Sequence, residues 1–383
     1  MKRHSATTPR SWRLFVELPR DAATGKRRQK TRTVRGSRKD AERALRKLIR
    51  EIERGLHSHS DRITVADLLE RWLRDYAQPN VSPKTYVRYE QIVRNDLTPA
   101  LGSKSLEKLA PGDIQAYYSG RLAEGKLSAR TIHHHHRVLK QALKWAVGLE
   151  LAYRNPADPV RPPRPERSEV QTLNALEARR LAHAAEGSTY EGPILMALFT
   201  GMRQADVIGL RWRDVDLEGE RLSVVQTLQR VRGEIIIKEP KSRAGRRAIA
   251  LSPTVVAALR RERARQEERE LSAGTAWAND RDLVFTSVAG TPLDDSALRR
   301  GFKKLLAEAH LPSITFHDLR HTHATLLLLK GIHPKIVSER LGHANIQITL
   351  DTYSHVLPNM QEGAAAAFDA ILAEAGDGAA AGA

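Results

Sequence analysis

ITFHDLRHTHATLLLLKGIHPKIVSERLGHANIQITLDTYSHV, residues Ile314 to Val356, is the stretch whose reading decides the fold. His317 and Arg320 stand three positions apart on a predicted helix, so they share a face. Leu341-Gly342-His343 marks a helix end, with Gly342 at the position after the last turn. Tyr353 follows ten residues after His343. A phenol, a guanidinium and imidazoles gathered this way suit a phosphate group, but they make only half of a site. The other half is expected near Arg203.

Working upstream, Pro193–Phe199 is an apolar helix that ends at Thr200-Gly201, and GMRQADVIGLRWRDVD follows it. Leu222–Val225, Ile235–Ile237 and Ala248–Leu251 are β-rich runs, expected to form a three-stranded meander. Glu239-Pro240-Lys241-Ser242-Arg243-Ala244-Gly245 is the turn between the second and third, and it displays Lys241. Leu173–Ala185, Pro253 to about Glu270 and Leu298–Ala309 have helical patterns, the second so charged that a solvated face is expected. Beyond Gly363 the tail is rich in Ala and Gly. Phe368, Ile371 and Leu372 could form one short docking helix there, with the last residues flexible.

Residues 63–155 carry helical patterns throughout. Thr64 caps a helix with Val65, Leu68, Leu69 and Trp72 on one face. Ser82-Pro83 starts a second running to about Asp96, and others span Gly112–Ala123 and Ser128–Gly148. The last contains His133–His136. At about 100° per residue only His133 and His136 share a face, so a solvated or DNA-facing run is expected rather than a metal cage. RNPADPVRPPRPERS, Arg154–Ser168, holds five prolines and is expected to be a semi-extended linker that tracks a phosphate backbone.

The chain has 383 residues, a formal charge of +18 and no cysteine. The charge points to a polyanion, nucleic acid ahead of a membrane surface. No apolar run approaches the ~18–20 residues of a spanning helix, and no signal peptide is visible. Without cysteine there are no disulfides and no thiolate zinc, which is compatible with a reducing cytoplasm. Residues 1–60 hold 18 Lys/Arg against 6 Asp/Glu, two-thirds of the excess charge. Trp12, Leu14, Val16 and Leu18 alternate with Arg13, Phe15 and Glu17, a strand. Thr24-Gly25-Lys26 turns the chain into a basic second strand, Arg27–Val34. Ser37 and Asp40 then open a helix with Ala41, Leu45, Leu48, Ile49 and Ile52 on one face and Gly55 at its end. Such a sheet, with Arg13, Lys26, Arg27, Arg28, Lys30 and Arg32 on its outer side, suits a DNA major groove.

Taken in order, Thr200-Gly201-Met202-Arg203 with Asp206 and Gly209-Leu210-Arg211-Trp212, then Pro240-Lys241-Ser242, His317-Asp318-Leu319-Arg320-His321, Leu341-Gly342-His343 and Asp351-Thr352-Tyr353-Ser354-His355 resemble the tyrosine recombinases, in particular integrases of phages and mobile elements. The resemblance covers nearly the whole chain. It implies a multidomain, mainly α fold with small β-sheets: an arm-type DNA-binding module at 1–60, an all-α core-binding domain at 62–155, a linker at 156–168, an α+β catalytic domain at 169–373 and a flexible tail at 374–383. It also implies a 3′-phosphotyrosine, a free 5′-hydroxyl, exchange through a four-way junction by a homotetramer clamped on double-stranded DNA, and no cofactor. A directionality factor and a host DNA-bending protein are candidate accessory partners. The setting implied is a bacterial cytoplasm.

The chemistry of the residues agrees. Without a metal, phosphodiester cleavage needs a nucleophile, cations on the non-bridging oxygens and an acid for the leaving oxygen. The phenol of Tyr353 can leave again, because its pKa of about 10 lies far below that of a sugar hydroxyl. Arg203 and Arg320 offer planar forks for phosphate oxygens. Lys241 is the candidate acid for the 5′ oxygen, His317 is suited to the phosphate or to acid–base work on the tyrosine, and His343 to another oxygen. Asp206 is expected to orient the arginines, although the family more often has Glu there. His323, His333 and His355 are expected to be structural or DNA-facing. Three rival readings share parts of this pattern: a DNA-binding protein of this fold without catalysis, a type IB topoisomerase-like enzyme, and a zinc hydrolase built on His317 and His321. The last lacks the glutamate of HExxH and a third ligand.

Overall fold

The structure, a computed structural model, describes residues 11–18, 28–55, 63–166, 170–240, 242–353 and, in the tail, 365–366, 368–370 and 372. The chain divides into two units, residues 1–167 and 168–383. Among the described residues no helix is long and apolar enough to cross a membrane.

In the first unit, β1 (Ser11–Leu18) pairs antiparallel with β2 (Arg28–Arg35), and α1 (Arg38–Gly55) packs on one face. The α1 start is a reciprocal cap, in which Ser37 and Asp40 exchange side-chain and backbone bonds. Leu14, Ala41 and Leu48 form the core, flanked by Trp12, Val16 and Leu45. Ile49, expected on the buried face, lies at its exposed margin. The helix runs through Gly55 instead of stopping before it.

The register corrects the expected basic face. Residues directly opposite in an antiparallel pair point the same way. Leu14 faces Arg32 and Val16 faces Lys30, so those two cations lie on the helix-covered side, exposed beyond its edge. Arg28 pairs with Leu18 in the same register. Arg13 is on the open face with Phe15, over whose ring its guanidinium sits at 6.0 Å, and opposite Thr33. Lys26 and Arg27 lie outside the described residues.

The helical part begins with α2 (Val65–Trp72). Thr64 accepts the Asp67 N–H at 3.1 Å while the Asp67 carboxylate accepts the Thr64 N–H at 2.9 Å. The buried stripe is the expected one: Val65, Leu68, Leu69 and Trp72, with Trp72 stacked on Tyr89 at 5.5 Å. Each such side chain contributes about 1.5–3 kcal/mol by leaving water. Next come α3 (Pro83–Ile92), α4 (Pro111–Ala123) and α5 (Ala129–Gly148). Both α2 and α3 continue through five-residue π turns, Leu73–Ala77 and Val93–Leu97, into a last α turn that holds Pro79 or Pro99. Proline lacks an N–H and crowds the carbonyl four residues back, and the wider turn relieves both. That is why the second helix passes Asp96 and reaches Leu101.

Two histidines of the run are not solvated. His135 and His136 are buried on α5, bonded through Nδ1 to the hydroxyls of Tyr117 at 2.8 Å and Tyr118 at 3.1 Å. Four adjacent imidazoles hide which of them face inward. Likewise the start of the expected linker is core. Ala157 and Val160 are buried, and the Asn155 amide donates to the Lys140 carbonyl at 3.0 Å.

The second unit contains α6 (Ala175–Ala185), α7 (Glu191–Thr200), α8 (Gln204–Ile208), β3 (Val215–Asp216), β4 (Arg221–Val224), β5 (Thr227–Val231), β6 (Glu234–Lys238), β7 (Arg247–Ala250), α9 (Pro253–Ala273), α10 (Asp295–Glu308), α11 (Asp318–Leu329), α12 (Pro334–Leu341) and α13 (Ile346–Tyr353). Among the described residues the expected meander does not form. β4 pairs directly with β7 in a sheet of order β3-β4-β7, and β5–β6 is a separate hairpin inserted between them. The helix α9 is only partly solvated. Its Val255, Val256 and Leu259 enter the core, and Arg261 and Arg265 reach the buried Glu191 at 2.6 and 2.8 Å. Apolar α7 is buried along most of its length, as its composition predicts.

Candidate active site

The site forms where three helix ends meet. Helix α7 stops at Gly201, whose φ of 67° is left-handed, and a Cβ there would lie 2.5 Å from Leu341. Only glycine allows both the turn and the approach. Arg203 follows as the N-cap of α8, its N–H held by the Asp206 carboxylate at 3.3 Å. At the start of α11, Asp318 accepts the N–H and hydroxyl of Thr315 at 2.7 and 2.8 Å, which sets His317 at the N-cap. Helix α12 ends at Gly342, with φ of 68°, and the chain turns into His343 and α13, which ends at Tyr353.

Arg320 is 3% exposed. Its Nη1 donates to the carbonyls of Gly201 at 2.7 Å and Leu341 at 2.8 Å, and so joins two of those ends. Its Nη2 is buried and has no partner among the described residues. Burial, then Arg203 and Arg247 nearby, lower its pKa to about 9, so it stays charged at neutral pH. Arg203 reaches the Gly342 carbonyl at 3.4 Å. His343 shares a hydrogen bond with Thr349 at 2.8 Å. Burial and then the cations Arg320 and Arg203 push its pKa down to about 4, and the same causes lower His317. Tyr353 is buried, and desolvation of its charged form lifts its pKa to about 12 against the pull of Arg320.

Arg203, His317, Arg320, His343 and Tyr353 all line one cavity of about 310 Å³, with His321 and Ser242. Lys241 lies outside the described residues, but its neighbour Ser242 stands at this wall. Asp206 is 2% exposed and does not meet the Arg203 side chain. It pairs instead with Arg247 at 3.4 Å. Arg247 was missed in the sequence. Its Nε also donates to the Arg340 carbonyl at 2.7 Å and its Nη1 to the Gly245 carbonyl at 3.0 Å. The Arg246-Arg247 pair opening an apolar strand was the available signal. His321, which the sequence offers only within the family motif and as a rival zinc ligand, has its Nδ1 2.8 Å from the Tyr353 hydroxyl. Its ring meets that of His317 edge to face at 5.1 Å, with Nδ1 turned to the phenol. His323 bonds the Leu198 carbonyl and accepts from Arg340, and His333 caps α12. His355 lies outside the described residues.

The profile of the phage integrase family matches residues 169–360, and that of its N-terminal SAM-like domain matches residues 64–121. A tyrosine recombinase XerC-like protein of Caldanaerobacter subterraneus subsp. tengcongensis is 31% identical over 86% of this chain and 88% of its own. The ICEBs1 integrase of Bacillus subtilis is 24% identical over 94% and 97%. Among solved structures, the Tn1549 transposon integrase in complex with a circular intermediate DNA is 25% identical, covers 76% of this chain and 95% of that one, and superposes with a TM-score of 0.65. A lambda integrase tetramer bound to a Holliday junction, 21% identical over 85% and 92%, shares the fold at a TM-score of 0.55. The chain therefore belongs to the phage integrase family and is a site-specific tyrosine recombinase of the mobile-element type.

Proposed function

We propose that Tyr353 attacks the scissile phosphate of double-stranded DNA to give a 3′-phosphotyrosine, with Arg203 and Arg320 on the non-bridging oxygens. The observation that carries this is the single cavity lined by the phenol, both guanidiniums, His317 and His343, into which no acidic side chain intrudes among its lining residues. The Nη2 of Arg320, without a partner among the described residues, supports it. A buried, charged donor without an acceptor is costly, and a phosphate oxygen would supply that acceptor. Arg320 is held from behind by two carbonyls, so the fork is set before DNA binds and needs little reorganisation as charge develops. Neutral His317 and His343 can donate to the same oxygens. Lys241, tethered next to Ser242, protonates the leaving 5′ oxygen. Asp206 acts through the Arg203 backbone and through Arg247.

The tyrosyl ester retains the energy of the broken bond, so rejoining to a new 5′-hydroxyl needs no cofactor. Residues 1–60 serve arm-type sites and residues 62–155 core sites, and a homotetramer exchanges strands through a junction, integrating the element and excising it with accessory proteins. An apolar groove of about 1080 Å³, with Leu176, Ile332 and Ile336 at its exposed rim, supports subunit contacts. Its occupant on this reading is the tail helix of a second copy, whose Phe368 and Leu372 are exposed.

The test is Tyr353→Phe on a labelled attachment-site fragment. The variant is expected to bind DNA but to give no adduct under denaturing conditions, since the ring stays and only the nucleophile is lost. A labelled adduct on the variant would overturn the assignment.

A further inference from the structure

The geometry points to His321 as the group that takes the proton of Tyr353 when the phenol attacks, and returns it when the tyrosine leaves. This rests on Tyr353 being the nucleophile. Among the described residues the hydroxyl has one hydrogen bond, to His321 Nδ1 at 2.8 Å, well inside proton-transfer range. The imidazole of His317, the other candidate base, meets the His321 ring edge to face and, among the described residues, makes no hydrogen bond to the phenol. Both rings are placed by one rigid element. His321 stands one residue after Arg320 on α11, so the helix that fixes the phosphate-facing guanidinium also fixes the base beside the phenol.

A base must be neutral before it acts. Burial, with His317 and Arg320 nearby, keeps His321 unprotonated, its pKa lowered to about 4. A neutral imidazole has one donor and one acceptor nitrogen. With Nδ1 as acceptor the proton sits on Nε2, and the tyrosine donates. Full transfer ahead of attack would be uphill, because the phenol is pushed up to about 12. The transfer therefore accompanies bond formation. As Oη bonds to phosphorus the phenolic proton becomes strongly acidic, and the bound phosphodiester anion raises the basicity of the imidazole. The Oη–P bond forms, the P–O5′ bond breaks with its electron pair on O5′, Lys241 protonates O5′, and Nδ1 holds the phenolic proton. In rejoining, the incoming 5′-hydroxyl gives its proton to Lys241, and protonated His321 returns its own to Oη.

The test uses the full chain, His321→Asn, and two suicide substrates, one with oxygen and one with sulfur at the bridging 5′ position. Asn places an amide near the Nδ1 position and can accept the hydrogen bond, but it cannot take the proton. Sulfur leaves without an acid. The expected result is a cleavage rate about 100- to 10,000-fold lower, with DNA affinity within threefold of wild type to report an intact fold. Sulfur should leave that defect in place while restoring Lys241→Ala. The rate of the Asn variant should also climb with pH above neutrality as hydroxide replaces the base. Cleavage within threefold of wild type, or rescue by sulfur, would overturn the assignment. Tyr353→Phe runs alongside, and an adduct there would instead sink the nucleophile on which the proposal stands.

Discussion

Arg247→Met isolates what the second unit gains from one guanidinium. The arginine side chain is 6% exposed and its Asp206 partner 2% exposed. The bonds to the Arg340 and Gly245 carbonyls, at 2.7 and 3.0 Å, are short and charge-assisted, whereas the contacts to Asp206, at 3.4 and 3.5 Å, are long. Breaking a buried pair from one side costs about 3–5 kcal/mol, mostly from the charge left behind. The long contacts put this pair at the lower end, and the two lost carbonyl bonds add to it, for a total of about 4 kcal/mol. In a unit of this size each kcal/mol moves the midpoint by about 2–4 °C, so a drop of roughly 8–16 °C is expected. Scanning calorimetry on the full chain is the assay, with the transition of the second unit followed by Trp212 and Trp277 fluorescence. Asp206→Asn in the same background should recover about 2 kcal/mol, because it removes the stranded carboxylate. A loss under 1 kcal/mol, or strictly additive single and double variants, would refute the claim that this pair ties Asp206 to the strand.

Arg203→Ala should lower cleavage by about 100- to 1,000-fold while DNA affinity falls less than tenfold, since its charge acts on the transition state; equal losses in single-turnover rate and binding would contradict that. Deleting residues 1–60, which carry 12 of the 18 excess charges, should spare cleavage of a core site, lower integration and flatten the salt dependence of binding; unimpaired integration would count against an arm-site role. Stability should fall on acidification. His321 and His343 are lowered to about 4, and His323 to about 3, all chiefly by burial. The unfolded chain takes up protons below about 6.5 that the folded chain refuses, so this stability is complete above 6.5 and is lost as pH falls toward 4. For His323 alone that is about 2 kcal/mol at pH 5. A calorimetric midpoint that rose between pH 7 and 5 would reverse the sign.

Much of this was legible because helices announce themselves locally. The Thr64 cap, the Leu68/Leu69/Trp72 stripe and the two terminal glycines Gly201 and Gly342 follow from a few neighbouring residues, and the tertiary structure kept them. Arg203, His317, Arg320, His343 and Tyr353, five of the residues that line the cavity, are expected from their spacing, their chemistry and the family resemblance together. What escaped depends on non-local contacts. His321 and Tyr353 are 32 positions apart, and nothing in HDLRH says which ring turns to the phenol. Likewise His135 and His136 differ from their neighbours only through Tyr117 and Tyr118 on another helix. The basic sheet was misread for a different reason. The alternation of β1 is plain, but the face of each β2 cation depends on the pairing register, which the composition of β2 does not set.

The strand error and the missed arginine are one error. A meander would place the Lys241 turn at the tip of a continuous sheet, remote from the helix ends. With β4 paired to β7, Val224 faces Arg247, and the chain between β6 and β7 becomes a crossover from one sheet to another. A crossover has no ladder to hold it, so its far end must be fixed by side chains. Arg247 does this by bonding Gly245 behind it, Asp206 beside Arg203 and the Arg340 carbonyl two residues before Gly342. Lys241 is six residues from that anchor, within about 20 Å of chain. The anchor thus keeps the proposed acid within chain reach of the phosphate, while a single helix, α11, fixes the guanidinium of Arg320 and the imidazole of His321 together.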